Sequence, residues 1–176
     1  PGPPDIAVLS RWPSAVLKPD AFGSLEFDTE PLPERLEILG NVCVVLELAS
    51  DRPHAFVAAR LIDVAPDGAA AMVARGFLNL TQRDGRDAPR PLQPGRRYRV
   101  EVQLTGTAYA FPAGHRIRLA LSNAYWPIVW SSPESVTLTV FTGASQLLLP
   151  VRAPEPSPAE SRPCLEPAVA TPSPMT

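Results

Sequence analysis

Between Tyr98 and Ser122 apolar residues return at every second position, and that spacing restricts the chain more than any other feature. Tyr98, Val100, Val102 and Leu104 share one parity, with Arg99, Glu101 and Gln103 between them. After Ala108-Tyr109-Ala110-Phe111 and the turn Pro112-Ala113-Gly114-His115, the pattern resumes with Ile117, Leu119 and Leu121 against Arg116, Arg118 and Ser122. A helix would need apolar residues three and four apart. A period of two puts one face of a strand in a core and the other in water, as in antiparallel sheets. The stretch closes on Tyr125-Trp126-Pro127.

Further runs of the same kind flank it. Leu25 to Asp28 and Leu36 to Leu39 are short strands, the second ending at Gly40-Asn41. Val42 to Leu48 is apolar on both parities, which predicts a central strand covered twice. Phe56 to Asp63 carries Val57, Ala59 and Leu61 on one face and runs into Ala65-Pro66-Asp67-Gly68, a set of residues suited to a tight turn. Ala71 to Thr81 is a strand whose interior Gly76 predicts a bulge or a close backbone approach. Arg83 to Gly95 reads as a surface loop, and Val136 to Val140 and Gln146 to Leu149 as the last strands. About nine short strands, turns between them and no helix predict an all-β sandwich.

The 23 prolines, far above the usual level of about 5%, crowd the two ends and the gaps between strands. They divide the chain into an extended segment over 1–23, anchored by Trp12 and Phe22, a domain over 24–152 and a proline-rich tail over 153–176. A net charge of -2 without a basic stripe excludes an electrostatic case for nucleic acid. The longest apolar run, Val42 to Ala49, contains Glu47 and is too short to span a membrane. The opening PGPPD has neither the basic nor the apolar region of a secretion signal, so the expected compartment is the cytoplasm. Cys43 reads as a small core residue, and Cys164 lies in the tail.

Chemistry is sparse. There is no Gly-x-Ser-x-Gly elbow, and only His54 and His115 could serve as bases. His54 is read as an exposed loop residue, and His115 as a structural one whose ring bonds a neighbouring carbonyl. No catalytic residue, metal ligand set or cofactor is assigned. Asp63 to Gly68 lacks the alternating ligands of a calcium loop, and Asn79-Leu80-Thr81 is a chance glycosylation match inside a strand. One set of residues is open to a ligand or a domain interface: Tyr109, Phe111, Tyr125, Trp126 and Trp130. Planar aromatics stack on sugars or form interface anchors, and they also cap the open end of a sandwich.

Several of these strings carry a family likeness. Thr29-Glu30-Pro31-Leu32, Leu36 to Gly40, Arg60 to Gly68, Arg75-Gly76, Pro91-Leu92-Gln93-Pro94-Gly95 and Phe111 to Arg118 stand in the order seen in one group. Over roughly residues 24–150 the chain resembles the C-terminal domain of the X-Pro dipeptidyl-peptidase and cocaine-esterase (CocE/NonD) serine hydrolases. The resemblance implies a jelly-roll β-sandwich like galactose-binding domains, packed on an α/β-hydrolase catalytic domain of the same protein, walling its active site and often taking part in a homodimer. Members cleave acyl esters, amides or X-Pro dipeptides with a triad upstream of the matching region. Pro112, Ala113, Gly114, His115 and Arg116 match as a fold signature. The expectation is a non-catalytic domain, without nucleic-acid or membrane partners, that shapes the rim of a hydrolase site. A stand-alone carbohydrate-binding module, motivated by Tyr125, Trp126 and Trp130, and an oligomerisation domain are the alternatives.

Overall fold

The computed structural model describes residues 24–152 in full and the backbone of 5–9 and 15–17. The proline-rich tail with Cys164, and the anchors Trp12 and Phe22, lie outside the described residues. Twelve strands and two single 3-10 turns make up the described regular structure, with no α-helix among them. The strands are β1 (Asp5–Leu9), β2 (Ala15–Leu17), β3 (Leu25–Asp28), β4 (Leu36–Gly40), β5 (Cys43–Ser50) and β6 (Phe56–Val64). They continue as β7 (Ala70–Asn79), β8 (Arg97–Gln103), β9 (Thr107–Phe111), β10 (Arg116–Ser122), β11 (Leu138–Val140) and β12 (Gln146–Val151).

All pairings are antiparallel and fall into two sheets. The smaller runs β3-β10-β6-β7; the larger runs β2-β11-β5-β12-β4-β9, with β1 on β12 and β8 on β5. From β3 onward the chain crosses back and forth: β3 in the small sheet, β4 and β5 in the large, β6 and β7 small, β8 and β9 large, β10 small, β11 and β12 large. This wrapping is what lets each alternating stripe meet another stripe instead of its own neighbours. The β-sandwich expected from the alternation is the fold observed.

In β8, Val100 and Val102 are buried while Arg97, Arg99, Glu101 and Gln103 are exposed. The inner stripes Val44, Leu46, Leu48 (β5), Val57, Ala59, Leu61 (β6) and Ile117, Leu119, Leu121 (β10) form one core. Each valine, leucine or isoleucine among them contributes about 1.5–3 kcal/mol when fully buried. The doubly apolar β5 is central, with β8 on one edge and both β11 and β12 on the other. Gly40 pairs with Thr107 and Cys43 with Gln103, so residues 41–42 oppose residues 104–106. That extra residue is a bulge between the two ladders.

Where structure and sequence reading differ, partners beyond the local strand decide. Strands β1 and β2 were not read from the sequence; their backbones extend the large sheet on β12 and β11. Leu80 and Thr81, read as strand, form a 3-10 turn with Gln82, because the Asn79 side chain accepts from the Thr81 amide and hydroxyl. Val136 and Thr137 precede β11 and are not part of it. Gly76 marks a close approach: an added Cβ would sit 2.2 Å from the Gln103 carbonyl oxygen of the opposite sheet. The bulge in that strand falls nearby, where Leu61 pairs with Ala74 and Ile62 with Met72, leaving Val73 unmatched.

Candidate functional site

Two features stand out, one buried and one exposed. Asp63 continues the core parity of Val57, Ala59 and Leu61, so the fold carries a carboxylate inward at the end of the sandwich, where it is 5% exposed. A buried carboxylate must have its lone pairs occupied. Its Oδ1 lies 2.8 Å from His115 Nδ1 and its Oδ2 accepts from the Tyr109 hydroxyl at 2.8 Å. Tyr109 stands on β9 of the large sheet and Asp63 on β6 of the small one, so the trio ties the two layers together. Burial, and then the hydrogen bond and charge of Asp63, push the Tyr109 phenol above its ordinary range.

His115 is placed by the turn before it. Gly114 adopts φ +80°, a conformation that favours glycine, and its amide donates to the Leu32 carbonyl at 2.8 Å. The His115 ring nitrogen meets a carboxylate and not the neighbouring carbonyl expected. The signal was in the sequence: an aspartate on an apolar stripe needs a partner, though nothing local says that the partner is 52 residues away. No serine, threonine or cysteine hydrogen-bonds this imidazole among the described residues. The arrangement is half of a hydrolytic relay, without a nucleophile.

The five aromatic candidates do not form one cluster of surface rings. Phe111 is fully buried (0% exposed) and packs edge-on to Tyr109 at 4.9 Å. In this structure the ring is part of the core. Tyr109 is half-buried and commits its hydroxyl to Asp63. Tyr125, Trp126 and Trp130 lie instead on the excursion between β10 and β11. There Tyr125 and Val129 bridge antiparallel around a cis Trp126–Pro127 peptide.

Tyr125 packs back on the outer face of the small sheet, its ring 5.2 Å from that of Phe77 and under the Arg60 guanidinium at 5.3 Å. Trp126 and Trp130 meet edge-to-face at 5.3 Å, yet they are 66% and 82% exposed. Met72 and Phe77, which Tyr125 touches, and Ile128, which shares a groove with Phe77 and Trp130, are exposed apolar residues beside them. That groove is open, about 550 Å³ in volume, and lined by His54, Phe56, Phe77, Asn79, Ile128 and Trp130 among others. The outer face of β8 in the large sheet is polar, with Arg97, Arg99, Glu101 and Gln103 exposed. Leu39 on β4 of the large sheet is the other large apolar residue left exposed among the described residues.

The remaining motifs are structural. Asp67 Oδ1 accepts from the Ala69 amide at 2.9 Å, so Asp63 to Gly68 ends in a plain turn. His54 is exposed, as read. Cys43 is a free thiol, half-buried, and burial and then the charge of Glu101 push its pKa up. Among the described residues no three His, Cys, Asp or Glu side chains converge on a point that could hold a metal ion. No described helix is long and apolar enough to cross a membrane.

Residues 10–157 match the model of the X-Pro dipeptidyl-peptidase C-terminal non-catalytic domain. The chain belongs to this family. It is similar to cocaine esterase of Rhodococcus sp. (strain MB1 Bresler), 30% identical over 101 residues that cover 57% of this chain and 18% of that one. The same fold occurs in an aminopeptidase from a marine sediment archaeon (Thaumarchaeota archaeon; TM-score 0.71, 20% identity, 78% of this chain and 28% of that one). It also occurs in a CocE/NonD family hydrolase from Staphylococcus aureus (TM-score 0.69, 16% identity, 85% and 33%). The chain thus spans under a fifth of cocaine esterase, 18% of its length. As a member of the X-Pro dipeptidyl-peptidase C-terminal family it is the non-catalytic type of domain.

Proposed function

We propose that this sandwich serves a serine hydrolase of the acyl ester, amide or X-Pro dipeptide class by packing on its α/β-hydrolase catalytic domain and shaping the rim of the active site. Residues 24–152 are the packing unit, residues 1–23 lead into it while adding β1 and β2 to its large sheet, and 153–176 form a tail. The observation that carries this reading is the one-sided aromatic face. Trp126, Ile128 and Trp130 remain largely exposed on a domain whose family is defined as a non-catalytic companion. Exposed tryptophans around an apolar centre are the composition of interface anchors.

The test uses the longer protein. Ile128→Asp and Trp130→Asp should loosen the junction between domains, read as faster limited proteolysis between them and as a fall in kcat/KM toward acyl esters. The same substitutions should leave the isolated chain folded. Unchanged proteolysis and unchanged kcat/KM in both variants would remove the docking reading.

A further inference from the structure

Arg60 on β6 and Arg75 on β7 stand directly opposite each other. Both belong to the outer face, because their neighbours Ala59, Leu61 and Ala74 are in the core. Like charges opposed across a sheet are destabilising. Yet among the described residues neither arginine forms an ion pair, while Arg118 on the same face holds both Asp28 and Glu26.

Arg60 bonds Ser24 through Nη2 and lies against the Tyr125 ring, and its Nε is shut from solvent with no acceptor. Ser122 follows on the adjoining strand: Ala120 pairs with Arg60 and Ser122 with Ala58. Its side chain is also buried, 6% exposed, and its hydroxyl has no partner. This face therefore sets two arginines opposite each other beside a buried, unpartnered hydroxyl, near Met72, Phe77 and Tyr125, and among the described residues Arg60 has the Ser24 hydroxyl as acceptor but no carboxylate.

We propose that the Arg60–Arg75 pair receives a carboxylate side chain of the catalytic part of the same protein. This rests on the docking reading above and names the chemistry of its polar contact. A carboxylate presents two oxygens that fit guanidinium forks, and the aromatic border strengthens the pairing by excluding water. The catalytic part is the occupant because the family is that of a domain attached to a hydrolase, and tethering makes even a single ion contact effective.

Two substitutions separate the roles. In the isolated chain Arg75→Met and Arg75→Glu should leave Tm unchanged or raise it by about 1–3 °C, since each removes the repulsion on Arg60. In the longer protein both should increase cleavage at the junction, by about tenfold for a lost charge-assisted contact. A drop in Tm of the isolated chain with either variant would overturn the proposal. So would unchanged junction cleavage while Ile128→Asp and Trp130→Asp increase it. If none of the four variants affects the junction, the docking reading falls with it. Acetate and inorganic phosphate are titrated against the isolated chain: absence of saturable binding below millimolar concentration supports the tethered carboxylate. Tight binding that Arg75→Met abolishes would assign the spot to a free anion and overturn the proposal.

Discussion

A methyl group added at Gly76 tests the packing of the two sheets. In a regular strand Gly→Ala reduces the freedom of the unfolded chain and stabilises by about 0.5–1 kcal/mol. Here the new Cβ would lie 2.2 Å from the Gln103 oxygen, 2.9 Å from its carbonyl carbon and 3.0 Å from Leu104 Cα. All three are backbone atoms of the opposite sheet, so no rotamer can clear the overlap. Relief needs β7 and the end of β8 to part by about 1 Å, since carbon and oxygen do not approach within ~3.2 Å. Overpacking of this kind costs about 1–3 kcal/mol, and the rigid backbone places it at the upper end. The net expectation is a loss of about 2–3 kcal/mol, or on the order of 4–12 °C in Tm for a domain of this size. Urea unfolding followed by far-UV circular dichroism gives the number directly. Gly143, with nothing within 4 Å of its Cβ position and no positive φ, is the control, and Gly143→Ala should be neutral or slightly stabilising. If Gly76→Ala matches that control within about 0.5 kcal/mol, the sheets are not in contact there and the explanation of this glycine is wrong.

Other expectations follow from the same geometry. Asp63→Asn turns one acceptor into a donor facing either Tyr109 or His115 and should cost about 2–4 kcal/mol; Tyr109→Phe should cost about 1–3, both read by chemical denaturation. The Arg118 hydrogen bonds hold the Asp28 carboxyl below its ordinary range, with burial opposing. Its folded pKa is therefore lower than its unfolded one, so its stabilisation is complete above the unfolded value and is lost as pH falls through the folded value, below about pH 4. The urea midpoint of Asp28→Asn should approach that of the parent chain as pH drops from 5 to about 3; parallel curves would deny the linkage. Trp130→Ala in the isolated chain should change stability by no more than about 0.5 kcal/mol, as expected for a side chain 82% exposed, and a larger loss in a melting curve would show it to be part of the fold.

How far the sequence led is clearest in particular residues. Val100 and Val102, Ile117 and Leu119 declared their side of the sheet by parity alone, because a strand reverses direction at each residue and water selects the face. The turn glycines and the doubly apolar β5 were legible for similarly local reasons. The aromatic candidates were not sorted by any local rule: Phe111 is sealed in the core and Trp130 stands in solvent, though both read as large apolar side chains near prolines.

By itself, then, the order of residues determined an antiparallel two-layer protein and the family string from Thr29 to Arg118. Tertiary structure alone decided that Asp63 meets Tyr109 and His115 across the layers, and that Arg60 stands opposite Arg75 and against the Tyr125 ring. The physical reason is that alternation encodes which side of a strand is dry. The identity of the group waiting on that side depends on how the sheets are stacked and registered, and that is a property of the whole chain.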